Sequence, residues 1–167
     1  NNFGASFQGP GNEGHLENLK GWSSRGGLVW LWYYTIPYNN NFSGFLPIGY
    51  FDRLAEDYRL FKRLGVKGYQ TEHDAGIYES HHLADLHSWV LPRLQWNPDQ
   101  AVGALMGDFC RAYYGKAALE ILGYSSDLEK ATKAVTLSMR WNPSDADYRH
   151  VTPAFLKAAG ERFDRAE

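Results

Sequence analysis

Apolar residues follow two spacings along the chain, one typical of buried strands and one typical of amphipathic helices. Residues 28–34, Leu-Val-Trp-Leu-Trp-Tyr-Tyr, are apolar or aromatic without interruption and follow a pair of glycines, Gly26 and Gly27. An uninterrupted run of this kind predicts a strand that is buried on both faces. Apolar residues spaced by three over residues 15–22 predict a short helix before it.

A longer helical pattern covers residues 50–64. Its apolar residues recur every three or four positions, and charged residues such as Arg53 and Asp57 are predicted to lie on the solvent side. Gly65 is a typical C-terminal cap, and residues 66–72 are typical of a second strand. A strand, a helix and a second strand after a short link predict a parallel βαβ unit.

Helical spacing dominates the rest of the chain and predicts four further helices. The first of them contains Pro92, which predicts a kink. Two of the others are expected to begin with Asn-Pro or Thr-Pro, and one with a capping box. In order, the four are predicted over residues 83–94, from Asn97-Pro98, from Ser126-Asp127-Leu128-Glu129 and from Thr152-Pro153.

These elements predict an α/β fold with only two strands. Two strands do not form a stable parallel sheet by themselves, because the faces and the edges of the sheet need neighbours. The pattern therefore predicts that further strands lie upstream of this chain or are supplied by another molecule. We expect residues 1–98 to form the α/β part and residues 99–167 a helical C-terminal region.

Composition narrows the possible functions. The 167 residues include 17 Lys and Arg against 19 Asp and Glu, a net charge of −2 with no basic block, which argues against a nucleic-acid partner. No apolar run approaches the roughly 20 residues of a transmembrane helix. Aromatic residues make up 16% of the chain, a share that either fills a bulky core or lines a site that stacks on flat ligands.

The carboxyl ends of the two strands are the expected site, as in other parallel α/β folds. The first strand ends in aromatic residues and the second in polar residues. Rings can stack on the apolar face of a sugar, while amides and carboxylates bind its hydroxyl groups. We therefore predict an oligo- or polysaccharide as the partner and no cofactor. The predicted substrate-binding residues are Trp32, Tyr33, Tyr34, Gln70 and His73.

Glu72 and Asp74 are the candidate catalytic residues. Strand alternation places them on one face with Gln70, where Asp74 can shift the pKa of Glu72 and make it a general acid or base. The alternative is that both are solvated loop carboxylates.

A second alternative is a metal site, because four histidines and two aspartates lie within fifteen positions. The pair His81 and Asp85 has the spacing of one helix face. The metal-binding pattern His-Glu-x-x-His is absent, however, and His87 falls on a different face. Polar residues at a helix start explain the cluster more simply, so no metal is predicted.

Four short motifs occur in order within residues 22–125: Trp32-x-Tyr34-Thr35, Leu64-Gly65-Val66-Lys67-Gly68, Trp96-Asn97-Pro98-Asp99 and Phe109-x-x-x-Tyr113-Tyr114-Gly115. Together they resemble the C-terminal part of an uncharacterised glycoside-hydrolase-like family. That family is a domain of unknown function grouped with the TIM barrels of α-glucuronidases and β-hexosaminidases.

The resemblance implies the last two β/α units of a (β/α)8 barrel followed by an all-helical extension. A complete barrel takes about 250 residues, so the chain would be a fragment that needs upstream barrel segments. In the family that the chain resembles, many members have an acidic residue between the tryptophan and the tyrosine of the first strand, where this chain has Tyr33. Glu72 is then the best carboxylate within the chain. An extracellular or periplasmic location is also implied.

The leading hypothesis is therefore a glycoside hydrolase that acts on a polysaccharide or a uronic-acid-bearing glycan. Hydrolysis of a glycosidic bond takes two carboxylates, and one of them is expected upstream of this chain. The runner-up is a noncatalytic carbohydrate-binding or surface-interaction module with a degenerate barrel. A metal-dependent hydrolase that uses the histidine cluster is a third hypothesis.

Overall fold

The computed structural model describes residue 2 and residues 4–35, 47–72, 82–137 and 145–167. These ranges contain six α-helices, one two-stranded sheet and two short 3-10 turns. None of the described helices is long and apolar enough to cross a membrane. The elements are α1 (Glu13–Ser23), β1 (Trp30–Tyr34), α2 (Phe51–Arg63), β2 (Gly68–Glu72), α3 (Ala84–Trp96), α4 (Val102–Tyr114), the turn Gly115–Ala117, α5 (Ala118–Lys133), the turn Asp145–Tyr148 and α6 (Pro153–Ala166).

The predicted parallel pairing of the two strands is confirmed. β1 and β2 lie side by side in parallel, and α2 connects them along the chain. The register pairs Trp32 with Gln70 and Tyr34 with Glu72. Because side chains alternate between the two faces of a strand, Trp32, Tyr34 and Gln70 share one face, which we call the outer face. Tyr33 belongs to the opposite, inner face.

The prediction of two (β/α)8 barrel units is wrong. The described residues are mostly helical, and β1 and β2 are their only strands. A barrel closes only when eight strands pair in a ring, and the described residues after β2 form helices and turns. The structure therefore shows a helical domain with a small parallel sheet and not the end of a barrel.

The expectation that β1 is buried on both faces is also wrong. Trp30 is 68% exposed and Trp32 is 67% exposed, whereas Tyr33 is buried. The uninterrupted apolar run resembles that of a doubly covered strand, but no described element covers the outer face. Only the inner face packs against the core.

The core of the domain lies between the inner face of the sheet and α2. The rings of Tyr33 and Phe61 meet edge to face with centroids 5.3 Å apart, and Tyr58 packs edge to face on both. Edge-to-face pairs of this kind add stability beyond the area that they bury. The same core continues through α3, α4 and α5, so residues on both sides of position 98 belong to it.

Glu129 does not act in the capping box that the sequence predicts. α5 runs without a break from Ala118 to Lys133, so the box lies inside a helix. The carboxylate of Glu129 instead accepts hydrogen bonds from the backbone N–H groups of Phe51 (2.6 Å) and Asp52 (3.3 Å). A side chain of α5 thus caps the first turn of α2, where backbone N–H groups lack partners within the helix.

The predicted helix start at Asn97-Pro98 is wrong as well. α4 begins at Val102, and Asn97 has extended backbone angles. Its side-chain oxygen accepts a hydrogen bond from the N–H of Asp99 (3.2 Å), which makes a local turn in place of a helix cap. The last predicted helix is confirmed, since the Thr152 hydroxyl accepts from the N–H of Phe155 at the start of α6.

Candidate functional site

The outer face of the sheet carries a row of aromatic rings. Trp30, Trp32 and Tyr34 alternate along β1 and are all exposed. The rings of Trp32 and Tyr34 are nearly parallel, with 14° between their planes and 6.4 Å between their centroids. The ring of Trp30 lies over Gly68 of β2, where a Cβ atom would come within 2.2 Å of it. We call these three side chains the aromatic face.

Polar residues of β2 flank the aromatic face. Gln70 is exposed beside Trp32, and Glu72 stands opposite Tyr34 in the register. Of the predicted site residues, the structure therefore brings Trp32, Tyr34 and Gln70 to one face of the sheet, and Glu72 pairs with Tyr34 in the strand register. His73 and Asp74 lie outside the described residues.

Tyr33 is not part of the aromatic face, although it was predicted to bind the substrate. It lies on the inner face, and its hydroxyl group donates a hydrogen bond to Oδ2 of Asp57 (2.5 Å). Burial raises the pKa of Tyr33 well above its usual value. The phenol is therefore a neutral hydrogen-bond donor inside the domain.

Asp57 and Arg53 are buried, in contrast to the solvent positions predicted for them. Asp57 is 1% exposed and also accepts from the backbone N–H of Phe7 (2.7 Å). Burial raises the pKa of Asp57 to about 6, while the positive charge of Arg53 opposes this shift. The guanidinium carbon of Arg53 lies 5.9 Å from the centre of the Tyr33 ring. The i, i+4 spacing of Arg53 and Asp57 is that of an exposed helical pair, so no sequence signal indicates their burial, which depends on contacts with Tyr33 and Phe7.

A cavity of about 250 Å³ joins the buried pair to the aromatic face. Trp32 and Tyr34 line it on one side, and Arg53 and Asp57 line it at depth. The N-terminal segment and α1 provide the remaining wall. Aromatic surface and buried polar groups therefore meet at this end of β1, as in many small-molecule sites.

The histidine cluster is only partly within the described residues. His82 packs edge to face on Tyr124 (5.2 Å), and His87 is buried against Tyr50 (4.9 Å). No group of three or more metal-ligating side chains occurs among the residues that the structure describes. His73 and His81 lie outside them, so the described histidines act as aromatic packing partners.

Fold and site together define a mostly helical domain with a small parallel sheet, one face of which is aromatic and exposed. The chain belongs to the DUF4838 family, a domain of unknown function, whose sequence profile matches residues 1–127. The prediction of an uncharacterised domain family is thereby confirmed. Comparison with curated proteins and with solved structures gives no match.

Proposed function

We propose that the chain binds an oligo- or polysaccharide on its aromatic face. The observation that carries the proposal is the pair of exposed, nearly parallel rings of Trp32 and Tyr34. Large aromatic surfaces that stay in contact with water are typical of binding sites, because they gain most when a ligand covers them. Gln70, exposed beside Trp32, supplies an amide for sugar hydroxyl groups.

The arrangement favours a chain of sugars over a single one. The three rings follow one another along β1, so that successive sugar rings can each face an aromatic ring. A single stacking contact contributes only about 1 kcal/mol. Several contacts in a row are therefore needed for useful affinity, and an extended glycan provides them.

Trp32→Ala is expected to weaken saccharide binding by about tenfold, since it removes the central ring of the row. Binding is measured by affinity electrophoresis and by intrinsic fluorescence. The panel consists of cellulose oligomers, xylan, glucomannan, pectin and hyaluronan, which separates neutral glycans from those that contain uronic acid.

Trp96→Ala is the matched control, because Trp96 is 92% exposed and lies at the end of α3, not on β1. It is expected to leave saccharide binding unchanged. An equal loss in both variants would mean that the tryptophans contribute nonspecifically. Absence of binding to every glycan in the panel would refute the proposal.

Glycoside hydrolysis is the second candidate function. Glu72 pairs with Tyr34 in the strand register, so the backbone of this acidic residue lies beside the aromatic face. The resemblance of the sequence motifs to glycoside-hydrolase-like relatives supports the same chemistry. Glu72 and Asp74 are proposed to supply carboxylate groups for acid–base catalysis, with a bound glycan held by Trp32.

Glu72→Gln is expected to lower the rate of glycan hydrolysis by about a hundredfold, because it removes an ionisable group and preserves shape. The release of reducing ends is measured on whichever glycan binds. Glu56→Gln, at an exposed position of α2, is the control and should retain the full rate. A full-length protein that binds glycan without cleaving it would favour the noncatalytic alternative. Equal rates for wild type and Glu72→Gln would remove Glu72 from catalysis.

A further inference from the structure

A cavity of about 420 Å³ lies between α1 and the first half of β1. One side of it is lined by His15, Asn18 and Trp22, which share a face of α1 because they are spaced by three and four positions. The other side is lined by residues 28–31, and Phe7 contributes to the wall. The volume of the cavity is in the range of small-molecule sites.

Each side of this cavity contributes one exposed tryptophan. Trp22 of α1 is 64% exposed and Trp30 of β1 is 68% exposed. The guanidinium carbon of Arg25 lies 5.3 Å from the centre of the Trp22 ring, but Arg25 does not line the cavity. Indole rings that stay in contact with water gain most when a ligand covers them. The two tryptophans therefore give the cavity the apolar surface of a binding site.

The polar groups of the lining are available to a ligand. None of the described residues forms a hydrogen bond with the side chains of His15 and Asn18, or with the indole N–H groups of Trp22 and Trp30. An imidazole and an amide each donate and accept hydrogen bonds, and an indole donates one. Donors and acceptors beside aromatic surface are the combination that a sugar requires, because a sugar ring has apolar faces and a rim of hydroxyl groups.

The lining carries no acidic or basic side chain, since none of its residues is Asp, Glu, Lys or Arg. A carboxylate placed in the cavity would lose its hydration without gaining a countercharge, which is costly. Sites that recognise carboxylates supply an arginine or a lysine for this purpose. The cavity therefore suits an uncharged sugar better than a uronic acid.

The cavity is continuous with the aromatic face. Trp30 belongs to both, and Phe7 and His15 line both this cavity and the cavity of about 250 Å³ beside Trp32 and Tyr34. Residues 28–34 extend over about 20 Å, at about 3.3 Å per residue. A single extended glycan can therefore cover the aromatic face and reach the cavity with one end.

We propose that the cavity between α1 and β1 is a further subsite for the glycan and that it takes an uncharged sugar residue. This inference rests on the proposed function, since it assigns the class of sugar at one end of the same ligand. Trp22 and Trp30 cover the apolar surface of the sugar, and Asn18 and His15 bind its hydroxyl groups. Binding uses side chains alone, so it makes no demand on the backbone of β1.

Trp22→Ala is expected to remove the affinity that a longer glycan gains from the cavity. The probes are cello-oligosaccharides and xylo-oligosaccharides of two to six sugars, titrated into the full chain by calorimetry. With the wild-type chain, affinity should rise about fivefold once the oligosaccharide is long enough to reach Trp22. This step should disappear in Trp22→Ala, whereas Trp32→Ala should weaken binding at every length. Trp96→Ala should retain the step, and circular dichroism checks that all variants fold.

Asn18→Lys tests the charge of the sugar. The wild-type chain is expected to bind neutral oligomers more tightly than oligogalacturonides of equal length, because the lining offers no partner for a carboxylate. Asn18→Lys supplies a partner, so it should strengthen the binding of oligogalacturonides about tenfold and not that of neutral oligomers. Leu119→Lys adds the same charge at an exposed position of α5 and should leave both affinities unchanged.

Two results would overturn this inference and leave the proposed function standing. One is a glycan whose binding Trp32→Ala weakens but whose dependence on chain length is the same in wild type and Trp22→Ala. The other is a wild-type preference for oligogalacturonides that Arg25→Gln abolishes, because it would assign the cavity to a charged sugar with Arg25 as its partner. Absence of binding to oligosaccharides of every length would refute the proposed function, and this inference with it.

Discussion

Gly49→Ala is expected to lower the free energy of unfolding by more than about 3 kcal/mol. A Cβ atom at this position would lie 2.3 Å from Cα and 2.5 Å from the backbone nitrogen of Glu129 on α5. Both contacts are with backbone, which cannot rotate away as a side chain can. The N–H of Gly49 also donates to Oγ1 of Thr132 (2.8 Å), so any shift of the segment breaks a buried hydrogen bond. Urea unfolding followed by circular dichroism measures the change.

Gly103→Ala is the control for this prediction. Gly103 lies in the exposed first turn of α4, where a Cβ atom would meet no other atom within 4 Å. Alanine has the higher helix propensity, so a gain of about 0.5 to 1 kcal/mol is expected. Similar stabilities for the two variants would show that the segment before α2 does not pack on α5 as described.

The free energy of unfolding is expected to fall by about 2 kcal/mol, through Asp57 alone, as the pH rises from 4 to 7. Burial raises the pKa of Asp57 to about 6 in the folded chain, from 3.8 for the free side chain. Between these two values the folded state keeps the proton and the unfolded state releases it. The contribution of Asp57 to stability is therefore greatest below pH 4 and is lost as the pH rises through the folded pKa.

Asp57→Asn isolates this effect, because an amide resembles the protonated acid and does not titrate. The difference in unfolding free energy between wild type and variant should be small at pH 4 and should favour the variant at pH 7. Asp108→Asn, in an exposed ion pair with Arg111, is the control and should change stability little at either pH. A difference that is constant from pH 4 to 7 would show that Asp57 has an ordinary pKa in the folded chain.

Local patterns in the sequence predict which helices and strands form, but they predict less well what packs against each of them. The βαβ order and the start of α6 at Thr152-Pro153 depend on short-range spacing and capping, and both are confirmed. The environment of β1 depends on what packs over it. Leu28 to Tyr34 has the pattern of a doubly buried strand, yet the described chain covers only one face.

Contacts between distant segments explain the other differences. Glu129 follows Ser126 with the spacing of a capping box, but its partner is the first turn of α2, 78 residues away from it in sequence. Arg53 and Asp57 have the charges of surface residues, but Tyr33 and Phe7 give Asp57 hydrogen bonds that allow its burial. No local spacing identifies partners of this kind.

Part of the candidate site follows from strand geometry alone. Alternation along a strand puts Trp32 and Tyr34 on one face, and the parallel register puts Gln70 beside Trp32. The same alternation puts Tyr33 on the inner face, although it was predicted to bind the substrate together with Trp32 and Tyr34. The cavity that contains Asp57 could not be predicted, since α1 and the N-terminal segment complete its wall.

The cap that Glu129 provides for α2 also bears on where the domain ends. The family profile stops at residue 127, two positions before Glu129 and five before Thr132. A polypeptide cut at that boundary would keep the whole sheet and the aromatic face, but it would leave the amides of Gly49 and Phe51 without their acceptors. The segment that defines the family in sequence is thus shorter than the segment that folds as a unit, and expression of the domain should include all of α5.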